Sequence, residues 1–406
     1  MDSKQFYSQI LGISTPWNVT GVNLDIAGNK VEVFVTYSGG AGTCKCGTIR
    51  HMHAKSPERK WRHLDTCQLL TIIVCSLPRV KCPSCNKTET IQGSWSTPNS
   101  GFTLLFENLV IEWLLACQNQ SSVSKQLSIS FDEINGIMSR ALDRGLERRK
   151  LGDIAYLSID DKSMKKGHHY LTVLTDTRNS VVLDVCQTRT ASAVIDLLDE
   201  TLSYRQRRKV EAITMDMWDP YIKAAKTMLP AADIVHDRFH ISKLLNDAVD
   251  ITRRQELKKL EGSRLKAMKK SKFLWLSNFD SLTEDASIRF MKAVKSSRKV
   301  AEVWTYKEAF RAFFDCKDTG EAQRFIDKWH ESATKTSFSA LQKVAKTILR
   351  YSQGIVNYIP HKITNALAES INAKIQLLKA KARGFYSFSN YRRNILFYFG
   401  GLELSH

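Results

Sequence analysis

The sequence predicts a mixed α/β core interrupted by an all-helical segment and preceded by a small cysteine-bearing β module and a pair of helices. Three observations carry that expectation. Short apolar runs at Ala155–Ile159, Tyr170–Asp176, Val181–Cys186, Val210–Met215 and Ala232–His236 read as strands, with amphipathic helices between the later ones. Two of these runs stop on acids, Asp160-Asp161 and Asp216, where an unpaired buried carboxylate would be costly without a cation. Residues 241–345 carry no strand signal and are conspicuously basic.

Bulk composition narrows the partner. The 406 residues hold 60 Lys and Arg against 41 Asp and Glu, a net charge of +19 with a pI near 9.5. Such an excess favours a polyanion. No apolar run approaches the roughly 18–20 residues that span a bilayer, and the opening MDSKQFYSQI lacks a signal-peptide core. A cytoplasmic chain with no membrane partner is expected. Nine cysteines, an odd number, then argue for reduced thiols or metal ligands rather than a disulfide framework. Nucleic acid is the expected partner.

Taken in order, residues 19–37 alternate as a hairpin whose turn is Ala27-Gly28-Asn29-Lys30. Cys44-Lys45-Cys46 and Cys82-Pro83-Ser84-Cys85 flank the strand-like run Leu69–Leu77. Paired short cysteine motifs around strands build a zinc ribbon, in which soft ligands replace a core too small to stand alone. Cys82 and Cys85 have normal spacing, whereas the first pair is one residue short, so His51, His53 or His63 stands as a substitute ligand. The alternative is four incidental core thiols, the role expected of Cys67, Cys75, Cys117, Cys186 and Cys316. Phe102–Cys117 is apolar all round and reads as a buried helix. Ser121–Leu127, a break at Ser128-Ile129-Ser130, and Phe131–Arg149 form helix, turn, helix. Asp132 and Glu133 suit the start of the second helix, which aligns Arg140, Arg144 and Arg148 as a recognition face or a solvated basic one.

After the first three core strands come the helix Ala191–Tyr204, a fourth strand ending at Asp216, a helix Tyr221–Met228 and a fifth strand leading into Asp237-Arg238-Phe239-His240. Asp219 before Pro220 reads as an N-cap, which leaves Asp216 as the ligand candidate. The order β-β-β-α-β-α-β-α is that of an RNase H-like domain, whose first and fourth strands are neighbours. The helical stretch that follows has nine Lys or Arg within Arg253–Lys272 and only two acids. Lys258, Lys259, Lys269 and Lys270 are its candidate phosphate contacts, while Trp275, Trp304 and Trp329 supply bulk for a small core.

Asn365–Arg383 reads as a helix with two stripes. Leu367, Ile371, Ile375, Leu378 and Ala382 recur at core spacing. Asn365, Glu369, Asn372, Gln376, Lys379 and Arg383 line another side, and Glu369 is the only acid between residues 332 and 402. Glu369 is the natural third carboxylate beside Asp160 and Asp216. Three carboxylates can hold two divalent cations, and Mg²⁺ suits an all-oxygen site.

RKWRHLD (59–65), CPSC (82–85), SIDDKSMKKGHHYLTVLTD (158–176), TMDMWDPYIKAAKTMLPAADIVHDRFHISKLLNDAVDITRR (214–254) and ITNALAESINAKIQLLKAKARGFYSFSNYRR (363–393) together resemble the ISL-three family of bacterial insertion-sequence transposases, of the DDE type. The resemblance implies a catalytic triad of Asp160, Asp216 and Glu369 with Mg²⁺ or Mn²⁺. It also implies a Zn²⁺ finger on Cys44, Cys46, Cys82 and Cys85, a helix-turn-helix, and Lys379 and Arg383 among the DNA contacts. The implied activity is cleavage and strand transfer on double-stranded DNA, terminal repeats and target alike, by an oligomer of the chain at the nucleoid. The chain has Asp160-Asp161 where the family carries Asp-Glu, and C-x-C where C-x2-C is usual. The expected division is 1–100 for the hairpin and zinc module, 101–150 for the helix-turn-helix, 151–240 with 346–406 for the catalytic domain, and 241–345 for the basic helical insertion. Two other readings share the fold: a structure-selective nuclease, and an inactive descendant that only binds DNA as a regulator.

Overall fold

The computed structural model describes residues 2–165, 169–363, 366–385 and 387–406, in two compact units. The first holds Met1–Arg149 and Leu402–His406. Its helix α1 (Ser3–Ile10) starts in a capping box on Asp2. Strands β1 (Trp17–Asp25) and β2 (Lys30–Tyr37) pair antiparallel with Asp25 opposite Lys30, so the expected hairpin forms. Its turn closes where Asp25 Oδ1 accepts from the Gly28 amide at 2.7 Å and Asn29 adopts φ 51°.

Strands β3 (His51–Lys55), β4 (Arg59–Arg62), β5 (Leu70–Cys75), β6 (Pro78–Lys81) and β7 (Thr88–Thr90) complete two sheets, ordered β1-β2-β5-β4 and β3-β6-β7. Val31, Val33, Val35, Trp61 and Ile73 alternate into the core of the first, closed by Trp17 and Trp95. Helices α2 (Leu104–Cys117), α3 (Gln120–Leu127) and α4 (Phe131–Arg148) follow. Ser128 ends α3 at φ 52°, and Ser130 opens α4 in a capping box with Glu133. The apolar α2 is not buried all round. Phe106, Val110, Ile111 and Leu114 are covered, but Leu105, Trp113 and Leu115 stay exposed, because α3 and α4 pack on one side only.

The second unit, Lys150–Gly401, is built on β8 (Tyr156–Lys165), β9 (His169–Asp176), β10 (Val181–Gln187), β11 (Ala212–Met215) and β12 (Asp233–His236), ordered β10-β9-β8-β11-β12. The first three strands are antiparallel, while β8, β11 and β12 run parallel. Helices α5 (Ala191–Thr201), α6 (Tyr204–Arg207) and α7 (Asp219–Met228) connect them. Leu157, Ile159, Ile213 and Met215 pack against Val194, Leu198 and Tyr221 from this helical layer.

Beyond β12 comes a run of helices: α8 (Arg238–Leu257), α9 (Gly262–Met268), α10 (Lys272–Leu276), α11 (Glu284–Ser296), α12 (Arg298–Phe310), α13 (Thr319–Thr334), α14 (Ser339–Arg350), α15 (Ser352–Val356) and α16 (Tyr358–His361). Trp275, Phe290, Phe310 and Trp329 centre a core that continues onto Ala212 and Val235 of the sheet, with Trp304 packed against it. Helices α17 (Ala366–Lys381) and α18 (Phe388–Phe399) end the unit. Arg392 anchors α18 to β10 through two bonds to Asp184, 2.7 and 2.6 Å. Among the described residues no helix is long and apolar enough to cross a membrane.

Candidate catalytic and metal sites

Strand β8 does not stop at its acids, as its apolar run suggested. It continues to Lys165 because β9 keeps pairing with it, Asp160 opposite Val173 and Asp161 opposite Thr172. What ends there is the parallel half of the sheet. The β8–β11 ladder pairs Thr214 with Ser158, and the same register two residues on sets Asp216 beside Asp160. Carboxylate oxygens of Asp160, Asp161 and Asp216 all lie within 4.8 Å of one another.

Each acid is differently held. Asp160 is buried; its Oδ1 accepts from the Asp161 amide at 2.7 Å, and its Oδ2 takes Asn372 Nδ2 at 2.5 Å and Lys162 Nζ at 2.9 Å. Asp216 Oδ1 meets His240 Nε2 at 2.5 Å. Asp161, left out of the triad that the family resemblance implies, is drawn into the group. Desolvation, then the charges of Asp160 and Asp216, push its pKa above the usual carboxylate range, with Arg189 3.9 Å away in partial compensation. Burial would lower the pKa of His240, but the hydrogen bond and charge of Asp216, with Asp237 and Asp160, raise it instead.

Sequence reasoning missed Asp237 and His240 as site residues. The only signal was their spacing at the start of α8, one helical turn apart. Asp237 is 5 % exposed; its Oδ1 caps α8 through the Phe239 amide at 3.2 Å, and among the described residues its Oδ2 has no hydrogen-bond partner. Burial is the main cause that raises its pKa, and the charges of Glu369 and Asp216 add to it. Glu369 lies in the first turn of α17, exposed and outside the three-acid group. One turn further along the same polar stripe, Asn372 is buried and donates to Asp160. Ile371, Ile375 and Leu378 face the core as expected; Asn365 and the side chain of Leu367 lie outside the described residues. Asp219 is not a cap. Trp218 is the N-cap of α7, and Asp219 instead accepts from Arg350 (2.7 Å) and the Tyr351 hydroxyl (2.8 Å).

The residues fit a divalent cation. Three clustered carboxylates offer the hard oxygen donors that Mg²⁺ prefers, and among the described residues Asp237 Oδ2 and Asn372 Oδ1 are also buried without a hydrogen-bond partner.

The cysteines fit zinc. Sγ atoms of Cys44, Cys46, Cys82 and Cys85 lie within 4.8 Å of one another, with Cys44–Cys85 at 3.6 Å and Cys46–Cys82 at 3.5 Å. Tetrahedral thiolates about 2.3 Å from Zn²⁺ stand about 3.8 Å apart. The short C-x-C spacing is accommodated because the chain doubles back within one tight turn, the Gly47 amide donating to Cys44 O at 2.9 Å with Gly47 at φ 85°. The Thr48 hydroxyl and amide bring the Cys46 thiol down to about 6, towards the thiolate a metal needs, while the neighbouring thiols, Cys82 first, push Cys85 up to about 11. None of the three candidate histidines substitutes: His51 and His53 are exposed on β3, and His63 is buried against the Thr103 hydroxyl at 3.0 Å. Of the cysteines expected in the core, Cys75 and Cys316 are buried, but Cys67 is exposed.

The basic candidates divide. Lys258, Lys259, Lys269, Lys270 and Arg383 are exposed, with Lys259 paired to Glu256 at 3.0 Å; Lys379 donates to Ser163 O at 3.0 Å. The arginine row of α4 is not an open recognition face. Arg140 binds the fully buried Glu107 at 2.5 Å, Arg144 donates to Leu404 O at 2.7 Å, and Arg148 to Ser405 O at 2.6 Å. These bonds and the burial of Leu404 seat 402–406 in the first unit, although 346–406 was expected to stay whole in the catalytic domain.

A family profile of ISL3-type DDE transposases, described as "Transposase", matches residues 157–395, and a profile described as "zinc-finger of transposase IS204/IS1001/IS1096/IS1165" matches 44–85. The chain is 22% identical over 366 residues to the transposase for insertion sequence element IS1001 of Bordetella parapertussis, covering 88% of this chain and 89% of that one. It is 25% identical over 359 residues to the transposase for IS1557 of Mycobacterium tuberculosis, covering 81% and 79%. The chain belongs to the ISL3 family of insertion-sequence transposases.

Proposed function

We propose that this transposase cuts and rejoins DNA at the ends of its element through Asp160, Asp216 and Glu369, in a catalytic domain of RNase H-like fold whose strand order is β10-β9-β8-β11-β12. The helices between β12 and α17 form an insertion into that domain. The observation that carries the reading is the junction of Asp160, on the central strand, with Asp216, on its parallel neighbour, and Asn372, one turn beyond Glu369. Divalent cations held there, Mg²⁺ or Mn²⁺, would supply activation of the attacking oxygen and stabilisation of the leaving one.

The chain's own residues prepare the site. Asn372 and the Asp161 amide fix the Asp160 carboxylate, so little reorganisation is needed at reaction. His240 orients Asp216 and offsets part of the negative charge while no cation is bound. Asp161 lies in the group, yet Arg189 and its raised pKa mark it as a supporting acid. Double-stranded terminal repeats and target DNA are the substrates, the zinc ribbon takes part in reading the ends, and exposed lysines of the helical run bind phosphates. An assembly of several copies on DNA brings the two element ends together.

The test uses a plasmid carrying the element's own ends. Asp160→Asn, Asp216→Asn and Glu369→Gln should each bind ends normally and lose Mg²⁺-dependent cleavage by at least about 10³-fold. Robust cleavage by Glu369→Gln would overturn the assignment. If wild-type protein binds ends and never cleaves, the inactive regulator is the better reading.

A further inference from the structure

Beside the acids lies a second cleft, of about 690 Å³, that the chemistry above does not use. The rings of Tyr170 and Trp218 form its walls, with Ala191, Pro220 and Lys223 around them. Arg189 separates it from the acidic cleft of Asp161, Asp216 and His240; Arg189 and Trp218 line both. The guanidinium is held between the two rings, 4.0 Å from the Tyr170 centroid and 4.5 Å from that of Trp218. The Trp218 indole N–H donates to Arg189 O at 3.3 Å, which fixes the ring plane. Trp218 nonetheless remains 38% exposed, two residues after Asp216.

A rigid aromatic wall with a cation behind it suits a flat, apolar, hydrogen-bonding ligand. The volume is within the ~300–1,000 Å³ of small-molecule pockets. With the scissile phosphate at the acids, a DNA base next to it is within reach only if it leaves the helical stack, as happens in enzymes that extrude a nucleotide. We propose that the Trp218–Tyr170 cleft receives one nucleobase turned out of the duplex beside the scissile phosphate, stacked on Trp218. The proposal rests on the assignment of Asp160 and Asp216 to the cutting site.

Binding is measured with the full-length protein and duplexes carrying one terminal repeat, in Ca²⁺ so that DNA stays uncut. Single abasic sites are placed in turn at the three nucleotides on either side of the cleaved bond. Loss of one base stack weakens binding by about 5- to 150-fold. Trp218→Ala should weaken binding to intact ends by about that factor, and Trp218→Phe should restore most of it. At one abasic position the wild type should fall to the level of Trp218→Ala, which should lose nothing more. Trp218→Leu keeps bulk on Arg189 without an aromatic face; it should behave as Trp218→Ala and decides the matter if the alanine protein misfolds. An equal loss at intact and all abasic ends, or no loss at intact ends, overturns the proposal. Wild-type cleavage that is abolished by Glu369→Gln would then leave the cutting-site assignment standing.

Discussion

Asn372 donates its side-chain amide to Asp160 Oδ2 across 2.5 Å, from a buried position on α17 to the central strand of the sheet. This bond joins two segments 212 residues apart and sets the helix that carries Glu369 against the acid group. Asn372→Leu should therefore fold, since the position is buried and flanked along the helix by the core residues Ile371 and Ile375. It should lower cleavage by about 10- to 100-fold, as loss of an outer partner of a metal ligand does. Asp161→Asn should cost less, about tenfold, and far less than Asp160→Asn. Single-turnover cleavage with Mg²⁺ titration separates the cases: the Asn372 variant should need more Mg²⁺ for half-maximal rate. An unchanged Mg²⁺ requirement would show that the bond does not position Asp160.

Zinc should be present at about one equivalent per chain in protein purified without chelator, because four sulfurs already lie within 4.8 Å of one another, two pairs of them 3.6 and 3.5 Å apart. Cys46→Ser and Cys85→Ser should each release it and weaken end-binding. Elemental analysis of less than a tenth of an equivalent in folded, active protein would sink this assignment.

Lys258, Lys259, Lys269 and Lys270 are exposed, and one of the four is paired with an acid. Replacing all four with Gln should weaken specific and random DNA about equally. The slope of log affinity against log salt should shrink by roughly 0.9 per lost phosphate contact. An unchanged slope would mean that these side chains are only solvated.

The Arg140–Glu107 pair yields the opposite expectation for α4. Burial alone would raise the pKa of Glu107, but hydrogen bonds from Arg140, His406 and Ser100 hold it below the ordinary value. A depressed carboxylate stabilises the fold above its unfolded pKa near 4.5, and that contribution is lost as pH falls through the lower folded value. Arg140→Ala should cost about 3–5 kcal/mol by removing the arginine from a buried carboxylate that keeps only His406 and Ser100 as partners among the described residues. Glu107→Gln should flatten the acid limb of the stability curve. Neither folded variant should change the salt slope of DNA binding; a change there with intact stability would restore α4 as a phosphate-contacting helix.

Much of this protein is legible in its sequence because it is written in local periodicity. Alternation marks the β1–β2 hairpin, Ser130 and Glu133 mark the start of α4, and the apolar stripe through Ile371, Ile375 and Leu378 marks the inner face of α17. The chain's basic charge and its cysteine pairs are likewise properties of the sequence alone. Partnership is not local. That β8 runs past its acids depends on β9 continuing to pair with it, and that Asp161 joins Asp160 and Asp216 depends on where the parallel ladder ends. Three arginines spaced along one helix look the same whether they face phosphates or, as here, a buried glutamate and two backbone carbonyls. A sequence states which side chains carry charge; only the packed chain decides which of them lose water and which partner then neutralises them.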